Sequence, residues 1–317
     1  MTSVLHTLLA ALAQLVLLVA LAPGVNGVIK QFKARLQNRR GPSVLQAYRD
    51  LWKYLRKDSV RSEHSSWLSS AAPPVYAGAF ATAALLVPAI WLPAPLAGWG
   101  DAIVLIGLFA LARFFLALAG LDTGSAFGGM GSSREVAISA LAEPVLLLAL
   151  FSVALLAGGT NLSVIAAELS TRGFAAVTPG QVLALVAMLI VVLAETGRVP
   201  VDNPDTHLEL TMVHEGMLLE YSGRPLGILV WAALLKQTVI FSLLAAVFFP
   251  WGIASEASLL SLALGLGVYL LKLLLLCALM AVIESTFAKL RIFKVPDLMG
   301  AGLTIALLAV IANGVLR

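Results

Sequence analysis

The chain has a single cysteine, Cys277, and it lies inside an apolar run. One thiol excludes an internal disulfide, a cysteine-rich zinc site and a four-cysteine iron–sulfur centre. Histidine is nearly as scarce, with four in the whole chain, and no pair has the setting of a buried haem site. If the chain serves electron transfer, the metals sit on partners. Charge is short as well: 12% of 317 residues are Asp, Glu, Lys or Arg, where soluble domains carry about 25%. Met1 to Ala22 contains no Lys or Arg, so the first apolar run lacks the basic start of a secretory signal peptide. No low-complexity linker and no repeated pair of broken helices is evident, which disfavours an inverted-repeat transporter.

Hydrocarbon fills the space those residues leave. The chain is 60% hydrophobic with a mean hydropathy of +0.96, which describes a polytopic membrane protein. Eight apolar runs approach the ~20 residues that cross ~30 Å of bilayer: Leu5–Pro23, Pro73–Trp91, Ala102–Ala119, Glu135–Ala157, Val182–Ala194, Ile228–Phe249, Leu259–Ile283 and Leu298–Val315. The expected fold is all-α, one membrane domain over 1–317 with eight transmembrane helices. Leu121–Ser133 reads as a Gly-rich loop, and a longer loop holds Asn161, Glu168 and Arg172.

The basic residues are unevenly placed. Residues 30–61 hold ten Lys/Arg against two Asp. Within them, Ser43–Lys57 sets Val44, Leu45, Tyr48, Leu51, Trp52 and Leu55 on one helical face, which predicts an interfacial amphipathic helix after the first span. If 30–61 is cytoplasmic, loops on that side carry sixteen Lys/Arg and the opposite side only Arg172 and Arg317. The positive-inside rule then places both termini outside. It also makes 195–226 a second cytoplasmic loop. Beside a membrane span, the basic segment suits anionic lipid or an acidic partner rather than nucleic acid.

Six carboxylates and two histidines crowd into residues 194–223. Asn203 suits an N-cap and Pro204 a first helical position, which predicts a helix from Asp205 to Tyr221. A solvated helix is one reading; a proton-responsive element docked at the membrane face is the other. His214-Glu215-Gly216-Met217-Leu218 starts like a two-histidine zinc helix, but Leu218 stands where the second ligand is needed. Gly128–Ser133 has no lysine in a phosphate-loop position. Inside the spans, Arg113, Glu143, Glu195, Lys236, Lys272 and Glu284 each cost about 2.5–3.5 kcal/mol at mid-bilayer. They should face the bundle interior, pair, or line water; some of them, Lys272 above all, have snorkelling or a structural pair as the alternative. Glu135 and Glu143 lie two turns apart on one helix.

Three ordered motifs carry a resemblance. Arg35-Leu36-Gln37-Asn38-Arg39-Arg40-Gly41-Pro42 follows the first span, Glu195-Thr196-Gly197-Arg198-Val199-Pro200-Val201-Asp202 the fifth, and Glu220-Tyr221-Ser222-Gly223 precedes the sixth. The chain resembles the complex I subunit 1 family. The short segment after Gly41-Pro42, Leu121–Ser125, Ser133-Arg134-Glu135 and Asp202–Met212 are similar to its group 4 hydrogenase branch, as in formate hydrogenlyase, more than to its quinone-reducing branch. The resemblance implies a non-catalytic subunit in the inner membrane of a bacterium or archaeon. Its partners would be hydrogenase large and small subunits, a ferredoxin-like iron–sulfur subunit and antiporter-like membrane subunits. A nickel–iron centre and iron–sulfur clusters would sit on those partners. It also implies coupling acids at Glu143, Glu195, Asp202, Glu209 and Glu220, beside Glu135. Arg113, Arg198, Lys236, His214, Glu215 and Glu284 are candidate partners for them. Arg35, Arg39, Arg40 and Arg49 are the candidates for docking the redox arm. A quinone-site subunit, a stand-alone ion transporter and a purely structural anchor are the alternatives.

Overall fold

The computed structural model describes residues 2–203, 212–254 and 258–315. Eleven α-helices occur among them: α1 (Thr2–Leu36), α2 (Gln46–Arg56), α3 (Trp67–Leu86), α4 (Ala102–Asp122), α5 (Ala126–Ala157), α6 (Leu162–Arg172), α7 (Pro179–Glu195), α8 (His214–Leu218), α9 (Gly223–Phe248), α10 (Leu259–Thr286) and α11 (Val295–Val315). No strand forms among the described residues; two isolated bridges do. Six helices, α1, α4, α5, α9, α10 and α11, are long and apolar enough to cross a membrane, and α6 with α7 makes a seventh if that pair, bent by 119°, is one span. The chain is a multi-pass membrane protein. The second expected span, α3, falls outside this set; it carries Ser69, Ser70, Pro73 and Pro74 and ends at Leu86, short of Trp91.

α9 is the axis. Its apolar window is 72% buried, whereas that of α1 and that of α11 are 28% buried. α5, α7 and α11 pack as one group, α1 and α10 lie together, and α3 joins α4 to α9. Tyr76, Phe80 and Phe109 meet edge to face at the α3–α4 seam, with centroids 4.9 and 5.3 Å apart. The outer faces expose leucines such as Leu264 and Leu275, as a lipid-facing surface does.

Several boundaries differ from expectation. The first helix does not stop at Pro23 but runs to Leu36. Pro23 cannot donate to the carbonyl of Val19, and the Trp231 indole N–H donates to it instead, at 3.2 Å. The Gly-rich segment is helical from Ala126, because the Ser125 hydroxyl caps it by accepting from the Gly128 N–H. The loop after Asn161 is also helical, with the Asn161 side chain accepting from Ser163 and Val164. Among the described residues of the acidic stretch, Met212 and Val213 are non-helical and α8 ends at Leu218, so the expected helix does not run unbroken to Tyr221. α2 is shorter than Ser43–Lys57; it buries Leu51 and leaves Trp52 exposed under the Arg56 guanidinium.

Bonds between turns tie both ends of the bundle. At the end where α4 begins, backbone bonds join Leu92 to Ala254, Ala254 to Ile90 and Ala102 to Thr160. There the Asn313 amide of α11 donates to Ser152 of α5 and accepts from the Thr178 hydroxyl at the start of α7. At the other end, α8 lies on α4 and α5. A Cβ on Gly131 would stand 2.9–3.1 Å from the backbone of Val213, Gly216 and Met217, so only glycine admits this approach.

Candidate functional site

The buried charges are brought together by the C-terminus of α7. Thr196 bonds back to the Val192 carbonyl, Gly197 takes a left-handed φ of 58°, and the Arg198 N–H returns to the Leu193 carbonyl at 3.0 Å. This helix stop sets Glu195 and Arg198 on either side of one turn, and each heads an ionic cluster.

Arg113 of α4 is the hub of the first cluster. Its Nη1 donates to Glu143 of α5, and its Nη2 to Glu195 at 2.6 Å. Its Nε stands 3.9 Å from Glu135 of α5, too long for a hydrogen bond, and it has no hydrogen-bond partner among the described residues. Lys236 of α9 meets the other oxygen of Glu195 at 2.7 Å. These named groups hold three carboxylates and two cations. Side-chain exposure ranks them: Glu195 is 2% exposed and Glu143 33%.

Arg198 is the hub of the second. It donates to Glu284 of α10 at 2.7 Å, to Asn26 of α1 at 2.8 Å and to Gln237 of α9 at 2.9 Å. Lys33 of α1 also meets Glu284, at 3.1 Å, and Lys289 meets Asp202 at 2.7 Å. Here three cations face two carboxylates. Lys236 and Gln237 are consecutive on α9, so the clusters adjoin, and a chain of charge and amide groups crosses the bundle from α5 to α1 and α10.

Other candidates lie elsewhere. Glu220 lines a cavity of ~120 Å³ with Arg61, Ser65, Ser69, Ser70 and Tyr221. His214 stacks loosely toward Tyr76, with centroids 6.4 Å apart, and neither it nor Glu215 joins an ion pair among the described residues. Arg35, Arg39, Arg40 and Arg49 are exposed. Glu209 lies outside the described residues. Sequence reasoning missed Asn26, Lys33, Gln237 and Lys289. Lys33 belonged to a segment read as basic loop, and neutral amides inside apolar runs give no charge signal. Among the described residues no three His, Cys, Asp or Glu side chains gather as a metal site needs.

Fold and site together define a polytopic helical membrane protein threaded by a buried ionic chain. The chain belongs to the family whose model, described as NADH dehydrogenase, matches residues 8–314. It is 39% identical over 310 residues to formate hydrogenlyase subunit 4 of Escherichia coli strain K12, covering 98% of each chain. It is 40% identical over 299 residues to hydrogenase-4 component C of the same organism, covering 94% of this chain and 93% of that one. A subunit of the NADH-quinone oxidoreductase of Salinibacter ruber is 28% identical over 232 residues, 69% of this chain and 66% of the relative. The fold matches a chain in the structure of the membrane-bound sulfane sulfur reductase, an archaeal respiratory membrane complex. The TM-score is 0.82 at 20% identity, over 97% of this chain and 99% of that one.

Proposed function

We propose that this chain is the membrane subunit of an energy-converting nickel–iron hydrogenase of the formate hydrogenlyase type, coupling electron transfer to proton or sodium movement. The observation that carries the reading is the end-to-end likeness to formate hydrogenlyase subunit 4, beside a partial likeness to the quinone-reducing relatives.

In this reading α1, α3, α4, α5, α7, α9, α10 and α11 cross the cytoplasmic (inner) membrane of a bacterium or archaeon, with both termini outside. The loops 30–61 and 195–226 face the cytoplasm. There the exposed Arg35, Arg39, Arg40 and Arg49 meet the redox arm, whose hydrogenase and ferredoxin-like subunits hold the nickel–iron centre and the clusters. Antiporter-like subunits lie alongside in the membrane.

Coupling uses the ionic chain. Glu143, the more open acid, exchanges a proton with a neighbouring path. Once it is neutral, Arg113 leans on Glu195 and Glu135, and the hold of Glu195 on Lys236 changes. From the other side, displacement of the loop after Gly197 moves Arg198 against Glu284. Glu195 and Arg198 share one turn, so the two movements are linked through charges that a low-dielectric interior keeps strongly coupled.

The test is the native complex, purified gently, with subunits identified by mass spectrometry and nickel measured. Nickel with hydrogen evolution and no quinone reduction is expected. Glu143→Gln should keep hydrogenase activity and lose ion translocation. Quinone reduction without nickel overturns the hydrogenase reading. Ion transport by the chain alone points to a transporter, and full pumping in Glu143→Gln removes the mechanism.

A further inference from the structure

Arg113 and Lys236 sit deep in α4 and α9, and Lys272 sits deep in α10. Arg113 and Lys236 both hold Glu195. Lys272 pairs with no acid among the described residues. It is the fourteenth of the 28 residues of α10, which puts it about 20 Å from either helix end at ~1.5 Å per residue. It is half-buried. Leu275 and Leu279 share its side of the helix by spacing and are 60% and 39% exposed, whereas Val268, one turn toward the start of α10, packs on the Gly252 turn of this chain. α10 is covered by α1 and, more lightly, by α9, so this stripe faces away from most of the chain.

We propose that the 272–279 stripe of α10 is the contact surface for a membrane-spanning helix of another subunit, one that sets an Asp or Glu opposite Lys272. An ammonium at this depth is costly without a counter-charge, and the stripe supplies none. A lipid phosphate is a poor occupant. The headgroups lie ~15 Å from mid-bilayer, half of a ~30 Å core, which is farther than a four-carbon stem reaches. A second copy docked two-fold on this stripe is a poor occupant too, because it would bring Lys272 against its own image. The occupant is therefore a different helix with an acid at mid-depth. The inference rests on the chain being part of a multisubunit membrane assembly and is independent of the assembly's redox chemistry.

The experiment places a photo-crosslinking residue at Leu275 of the full chain in the intact complex, in its own membrane, and maps adducts by mass spectrometry. The expected adduct is a spanning segment of a different subunit, with an Asp or Glu close to the linked position. Lys272→Met should lower its yield about tenfold or more, while Lys272→Arg preserves it and the chain's own abundance is unchanged. Adducts to lipid only, to a second copy, or to a helix without an acid overturn the proposal, as does a yield indifferent to Lys272→Met. Failure to find any assembly would instead sink the subunit reading.

Discussion

Glu195 and Glu143 both touch Arg113, yet their substitution should have opposite consequences. Glu195 is sealed and holds two cations. Glu195→Gln leaves Arg113 with Glu143 and Glu135 but strands Lys236 in a buried setting, where breaking a pair costs about 3–5 kcal/mol. Low chain levels in membranes and early thermal loss are expected, and adding Lys236→Met should recover part of the loss by removing the stranded cation. Glu143 is one-third exposed, so Glu143→Gln should leave chain levels near normal and act on coupling. Immunoblots of membranes beside an ion-pumping assay separate the two. At this scale the charged members inside the apolar runs were legible, because hydrocarbon penalises charge wherever it falls in a chain, whereas Lys33, Lys289 and the amides Asn26 and Gln237 were not. Their pairing was not: nothing along one dimension says that Arg113 finds Glu195, eighty-two residues away, or that Arg198 leans on Asn26 and Gln237.

The helices show how distant side chains complete local structure. Pro73 lies inside α3 and cannot donate to the Ser69 carbonyl, yet the Tyr221 hydroxyl does so at 2.9 Å, much as Trp231 serves Val19 above Pro23. Burial pushes the Tyr221 hydroxyl up to about 12, so it stays a donor throughout the physiological range. Tyr221→Phe and Trp231→Phe should each cost about 1 kcal/mol, read as a lower melting temperature in detergent, with Tyr221→Phe also loosening the start of α9. Gly131→Val should detach α8, since the backbone of residues 213–217 has no room to yield; faster proteolysis within 195–221 checks this. These contacts explain the boundaries misplaced at prolines, because a proline reads as an end when its rescue comes from more than a hundred residues away. The Gly-rich and Asn161 segments are helical through caps within three residues, a local signal that the glycines and polar residues around them obscure. Length and apolar composition placed each of the eight long runs wholly or mostly on a helix, the second running past the end of α3, because burial in lipid or core demands the same composition over the same length.

Across the whole molecule, the sidedness assigned to the loops gives a direct prediction. Cysteines introduced at Ser62 and at Ser170, with Cys277→Ala as background, should react with an impermeant thiol reagent from opposite faces of sealed vesicles. Labelling of both from one face would cancel the eight-span arrangement. Asn313 has a mechanical consequence of its own, because it fastens three helices at once, α5, α7 and α11. It works as a clasp on the face away from α8. Asn313→Ala should release the Thr178 hydroxyl and the Ser152 carbonyl together, and a lower melting temperature in detergent is the expected reading.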